Sequence, residues 1–164
     1  MQILWTPWRK HYITMLSKQK ECIFCRAISN EDPGSNYVIY RSAHSTVMLN
    51  KYPYNNGHTM IAPIRHVPSI ELLSDEELVD LVKTLNLVIK AVKMCYNPDG
   101  LNIGANIGKA AGAGVEGHLH IHVVPRWFGD ANFMAVIART KVIPESLDDT
   151  WRRLKECIDK ASKA

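Results

Sequence analysis

Residues 117–127 read GHLHIHVVPRW and set three of the chain's seven histidines at alternate positions. The imidazoles alternate with Leu119 and Ile121 and run on into Val123 and Val124. That is the period of a β-strand rather than of a helix. Side chains two apart in a strand stand roughly 6.5–7 Å apart on one side. The fold must therefore hold a strand with one apolar face and one face lined by His118, His120 and His122.

Three readings of that face are open. As ordinary polar residues on a half-buried sheet, the histidines would stand where Thr, Lys or Glu usually serve. As a three-histidine metal cage they are nearly collinear. The outer pair would lie about 13 Å apart at Cβ, so one end could ligate an ion but all three could not. As a catalytic row, the central imidazole attacks phosphorus or acyl carbon. It is neutral near pH 7 because its ordinary pKa is about 6.5, and its neighbours orient it and serve the leaving group. The GKAAGAGVEG stretch just upstream can form a nest of backbone N–H groups for an anion. Beside the histidines, it suggests a phosphate substrate.

The rest of the chain supplies an α+β frame. Residues 74–96 carry apolar side chains at helical spacing from Leu78 to Cys95. Ser74 and Glu77 form a capping box, and NPDG at 97–100 stops the helix. Further strands are predicted over Tyr37–Arg41, Thr46–Asn50, His58–Pro63, Leu101–Ile107 and His118–Arg126. A short helix is expected over 22–29 and a last one from about 147 to 161. Five short strands with one long and one C-terminal helix predict a mainly antiparallel sheet. With 164 residues and no repeat or linker, the expectation is a single domain, 1–164, beginning with an irregular segment 1–20.

No apolar run approaches the ~18–20 residues of a membrane helix, and the N-terminus lacks a signal-peptide layout. A cytoplasmic protein with no membrane partner is expected. The net charge of +4 suits small anions and falls short of a nucleic-acid-binding surface. Of the four cysteines, Cys22 and Cys25 form a C-x-x-C. In a reducing compartment that spacing suggests a metal site or a redox pair before a structural disulfide. Cys95 and Cys157 read as packing residues on helices, and His58 as a structural residue bonded to backbone or loop. His11 and His44 read as surface residues, and Arg152 and Arg153 as solvent-exposed.

On HLHIHVV, ECIFC, VMLNKYPYNNGHTMIAPIRH and HLHIHVVPRWFGDANFM, the chain resembles the histidine triad (HIT) family. Its signature is H-φ-H-φ-H-φ-φ with φ apolar. LWTPWR and the PRWFGDANFM tail look closest to the fragile-histidine-triad-like branch of dinucleoside polyphosphate hydrolases and phosphorylases. The resemblance implies a HIT-like fold and a homodimer in which two five-stranded sheets join across a two-fold axis. It implies that His120 attacks the α-phosphorus of a dinucleoside polyphosphate, such as diadenosine tetraphosphate or triphosphate. A nucleotidyl-histidine then forms and is resolved by water or phosphate. His122 would serve the leaving group, Asn106 the phosphate, Asn50 the ribose, and Gly112 and Gly114 would present backbone donors. Phe24 and Leu49 could either sandwich the base or pack the core.

Some members of the family bind structural zinc. The matching residues here are Cys22, Cys25, His66 and His118, two thiolates and two imidazoles suited to a closed tetrahedral Zn2+ site. Two alternatives remain: a nucleoside phosphoramidase working through the same intermediate, and a non-catalytic nucleotide-binding regulatory module.

Overall fold

The expected strands form one five-stranded sheet in the order β1-β2-β3-β5-β4, with antiparallel neighbours throughout. They are β1 (Val38–Arg41), β2 (Ser45–Leu49), β3 (Thr59–Pro63), β4 (Gly100–Ala105) and β5 (Ile121–Arg126). The structure is a computed structural model that describes residues 21–30, 32, 34–131, 133–138 and 141–163. The segment expected to be irregular, 1–20, lies outside the described residues, and His11 with it.

The triad does not lie wholly within a strand. β5 begins at Ile121, so His118 and His120 precede the ladder and only His122 stands in it. The cause is where the backbone groups go: the Leu119 N–H donates to Val67 O at 2.6 Å, and His118 O accepts from the His120 ring.

The sheet has two different faces. Val47, Leu49, Ile61 and Val123 point to the main core, which is covered by α2 (Asp75–Tyr96) and α4 (Leu147–Ala161). Residues of the other parity, Met48, Met60 and Ala62, pack with Phe24 and Ala27 of α1 (Ile23–Ser29). Met60 is paired with His122, so the histidine face is the α1 face. A short helix, α3 (Phe133–Ile137), lies in the tail beyond β5, where the sequence predicts no element.

α2 starts at the expected capping box. The Ser74 hydroxyl accepts from the Glu77 N–H and the Glu77 carboxylate accepts from the Ser74 N–H. That carboxylate also receives Arg65 through Nε and Nη2 at 2.8 and 2.7 Å. The start of α2 is thus tied to the loop that carries His66. Asn97, in the left-handed region at φ 41°, ends the helix.

α4 occupies the expected range. Cys95 and Cys157 are not packing thiols: they form a disulfide between α2 and α4, Cα–Cα 6.0 Å, across 62 residues. Periodicity places each on the inner side of its own helix, but says nothing of which helix it will face. Closing a loop of that length restrains the unfolded chain by about 4 kcal/mol in the loop-entropy description. Arg153 is likewise committed. It donates to Cys95 O at 2.6 Å, lies 4.4 Å from the Tyr96 ring centroid and pairs with Glu145. Arg152 pairs with Asp149 at the exposed surface. No helix among the described residues is long and apolar enough to cross a membrane.

Candidate functional site

Cys22 stands at the N-cap of α1 and Cys25 one turn in. His66 follows β3 and His118 leads into β5. Their ligand atoms all lie within 4.8 Å of one another. Cys22 Sγ to His118 Nδ1 is 3.4 Å, Cys25 Sγ to His66 Nδ1 3.1 Å, and Cys25 Sγ to His118 Nδ1 3.6 Å. A tetrahedron with zinc–sulfur and zinc–nitrogen bonds of about 2.3 and 2.0 Å has edges of about 3.3–3.8 Å, so the donor set fits zinc. Gly117 helps to make room, since a Cβ there would stand 3.1 Å from His66 Nε2. Burial raises the Cys25 thiol pKa, and the neighbouring Cys22 adds to the rise. An ion there would draw both sulfurs to the thiolate form.

Hydrogen-bond partners set the ring tautomers. Pro63 O can only accept, so His118 carries its proton on Nε2 (2.8 Å) and turns the Nδ1 lone pair toward the two sulfurs. His118 O accepts from His120 Nδ1–H at 2.8 Å, which leaves the lone pair of His120 on Nε2. His58 Nδ1 accepts the Tyr54 N–H at 3.0 Å, so its Nε2–H donates to His122 Nδ1 at 2.9 Å. His122 therefore carries its proton on Nε2. Reading along the chain, the three imidazoles present a lone pair to two sulfurs, a lone pair on Nε2, and an N–H on Nε2.

Burial favours the neutral form of His118, His120 and His58. It lowers the pKa of His118 against the opposing Pro63 bond, and that of His120 against the bond to His118 O. His58, 1% exposed, is pushed down to about 3 by burial first and then by His122 and His120. His58 is more than the structural residue the sequence suggests, because it sets the tautomer of His122. Phe24 is fully buried beneath His118 and His120, at centroid distances of 5.1 and 4.9 Å. Leu49 is in the main core. Both are packing residues rather than an open base sandwich.

A cavity of about 420 Å³ opens beside His122, over the β5 and β4 edge. Tyr54, Asn102, Asn106, Arg126 and Lys141 line it with His122. Asn106 is thus brought to the triad. Gly104, paired with His122, has open space where a Cβ would be, and so leaves the floor level. Asn50 stands at the end of β2, where its side chain accepts the Tyr52 N–H at 2.9 Å. The Gly112 N–H donates to Lys109 O at 3.0 Å, and neither Gly112 nor Gly114 lines the cavity. Sequence reasoning missed Tyr54, Arg126 and Lys141. Arg126 has the parity of the histidines and was findable on that ground; Lys141 enters from a distant segment.

Comparison with known proteins gives this geometry its context. The family model described as "HIT domain" matches residues 33–129. The chain belongs to the histidine triad family. This HIT enzyme is 38% identical to the AP-4-A phosphorylase of Mycobacterium tuberculosis, over 94% of this chain and 83% of that protein. It is 33% identical to a HIT-like protein of Methanocaldococcus jannaschii, over 82% of this chain and 98% of that one. A zinc-bound histidine triad protein from Mycobacterium smegmatis shares the HIT fold at a TM-score of 0.70 and 26% identity, covering 87% of this chain and 96% of that one.

Proposed function

We propose that this HIT enzyme cleaves a dinucleoside polyphosphate, such as diadenosine tetraphosphate or triphosphate, through a nucleotidyl-His120 intermediate. The observation that carries this reading is the proton arrangement: a lone pair on His120 Nε2, beside a His122 that holds its proton on Nε2 at the cavity. The His120 lone pair forms an N–P bond to the α-phosphorus as the bridging P–O bond breaks, and the nucleotide departs as an anion whose oxygen accepts a hydrogen bond from His122 Nε2–H. Water or a phosphate oxyanion then attacks phosphorus, the N–P bond breaks to restore the His120 lone pair, and the proton of an attacking water passes to solvent. From diadenosine tetraphosphate the products are ATP with AMP when water attacks, or ATP with ADP when phosphate does.

In this reading Asn106 contacts the phosphate and Asn50 the ribose, while Gly114, which does not line the cavity, supplies a backbone donor only after its loop moves. The Gly112 N–H would have to leave Lys109 O to do the same. Residues 1–164 act as one domain, with α4 held on it by packing and by the Cys95–Cys157 bridge.

We also propose that Cys22, Cys25, His66 and His118 hold a structural zinc. Four protein donors close the ion's coordination, so its role is to fix the approach to β5 rather than to touch substrate. A homodimer is supported by the edge of β4, which no strand covers among the described residues, with Ile103 44% exposed, and by Val79 and Val82 exposed on α2. A cytoplasmic location, with no membrane or nucleic-acid partner, belongs to the same reading; the nucleotide substrate suits it, and the Cys95–Cys157 disulfide stands against it because reducing compartments disfavour such bonds.

The test is a rapid-quench reaction with diadenosine tetraphosphate, with and without phosphate, followed by peptide mass mapping. The expected result is a nucleotide adduct on His120. ADP formed only with phosphate assigns a phosphorylase. Product formed at an unchanged rate by His120→Asn refutes the mechanism.

A further inference from the structure

The cavity beside His122 contains two cations, and they are not equivalent. The guanidinium of Arg126 is committed on every side. Nε and Nη2 donate to Asp130 at 2.6 and 3.1 Å, and Nη1 donates to Asn102 at 2.7 Å. Asp130 is held down to about 2, first by Arg126, and also accepts from Asn55 at 2.8 Å. Arg126 and Asp130 therefore form a neutral strut that braces the end of β5. Lys141 makes no ion pair among the described residues, and no carboxylate lines the cavity. The cavity wall thus carries one ammonium with no carboxylate in contact among the described residues; Asp130, already paired with Arg126, attracts it only at longer range.

Strand geometry says what that charge faces. His122, Val124 and Arg126 point to one side of β5. Gly104 and Asn102 of β4 lie directly across from His122 and Val124 and share that side. The floor therefore runs from the proton donor sideways onto the edge strand. Asn50 lies two strands away in the other direction, at the end of β2. A phosphorus seated between His120 and His122 would have its nucleoside over β3 and β2 and its leaving group over β4. We propose that Lys141 binds the distal phosphates of the leaving nucleotide and makes the site selective for a polyphosphate over a leaving group without phosphate. This rests on the dinucleotide reading and names the residue that recognises the departing half.

Lys141 is exposed at the cavity wall; partial desolvation lowers its pKa, with Asp130 opposing and Arg126 adding to the fall. Distal phosphates would supply a charge-assisted partner, typically worth about tenfold or more in affinity.

The experiment is calorimetric titration of AMP and ATP into the full chain carrying His120→Asn, with and without Lys141→Gln or Lys141→Arg. The expected result is that Lys141→Gln removes about tenfold of the affinity gained from AMP to ATP, and Lys141→Arg restores most of it. Equal weakening of AMP and ATP, or no change in either, overturns the proposal. Turnover of diadenosine tetraphosphate by the wild-type chain, measured alongside, tests the parent reading separately.

Discussion

His118 and His122 are the same side chain, in the same tautomer, four residues apart, and their surroundings turn them to opposite uses. His118 spends its Nε2 proton on the Pro63 carbonyl and turns a lone pair toward two sulfurs. His122 spends its Nδ1 lone pair on His58 and keeps its proton on Nε2, at the cavity. One end is closed, with His118 1% exposed; the other opens onto about 420 Å³ of space. The chemistry of an imidazole is set by the partner of its other nitrogen. His120, between them, takes the reverse tautomer from the His118 carbonyl and becomes the one with an available lone pair.

The contrast is most severely tested at its centre. Replacing His120 with Asn should lower turnover on the order of 10⁴-fold or more, while calorimetry still detects AMP binding. Residual activity near wild type would mean that the two ends are not organised around His120. Next in size is the closed end. Stripping metal with a chelator, or making Cys25→Ser, should lower Tm by roughly 10 °C in scanning calorimetry. Turnover below that Tm should change less than tenfold. Activity that tracked zinc content at constant Tm would make the closed end catalytic and dissolve the contrast.

His58→Phe keeps a ring and removes the donor to His122. Turnover should fall about a hundredfold, and nitrogen NMR should show His122 no longer held in the Nε2–H form. The same variant tests a pH dependence. The His58 pKa in the folded chain, about 3, lies below its ordinary 6.5, so between these values the unfolded chain binds a proton that the folded one refuses. Its stabilising effect is complete above about pH 6.5. On acidification toward pH 3 it is lost at up to about 1.4 kcal/mol per pH unit. Denaturant titrations should show His58→Phe lacking that part of the slope. The smallest effect is expected from Gly117→Ala, whose Cβ would press on His66 at 3.1 Å. Zinc affinity should fall about tenfold in a competition assay, with turnover little changed.

Much of this was legible beforehand because it is local. The span 74–96 shows its length in periodicity and its start in Ser74 and Glu77. The last helix shows itself in the same way, and the HLHIHVV alternation shows the strand that begins at Ile121. Other features depend on pairing. His58 reads as structural because the sequence does not reveal the register that sets Met60 against His122 and brings His58 diagonally onto that ring. The disulfide was missed because helical periodicity ranks positions within a helix and carries no information about the partner helix. The early end of the strand at His118 and His120 escaped because alternation continues through them while their backbone bonds go elsewhere.

By itself, then, the sequence determined the residue types of the site, the α+β class and the two longest helices. These follow from short-range spacing and capping, which the chain carries wherever it goes. Only the tertiary structure decided which imidazole nitrogen holds each proton, that four distant ligands converge on one point, and that Lys141 reaches the cavity. Hydrogen-bond direction and charge proximity depend on groups that meet only once the sheet has closed its register.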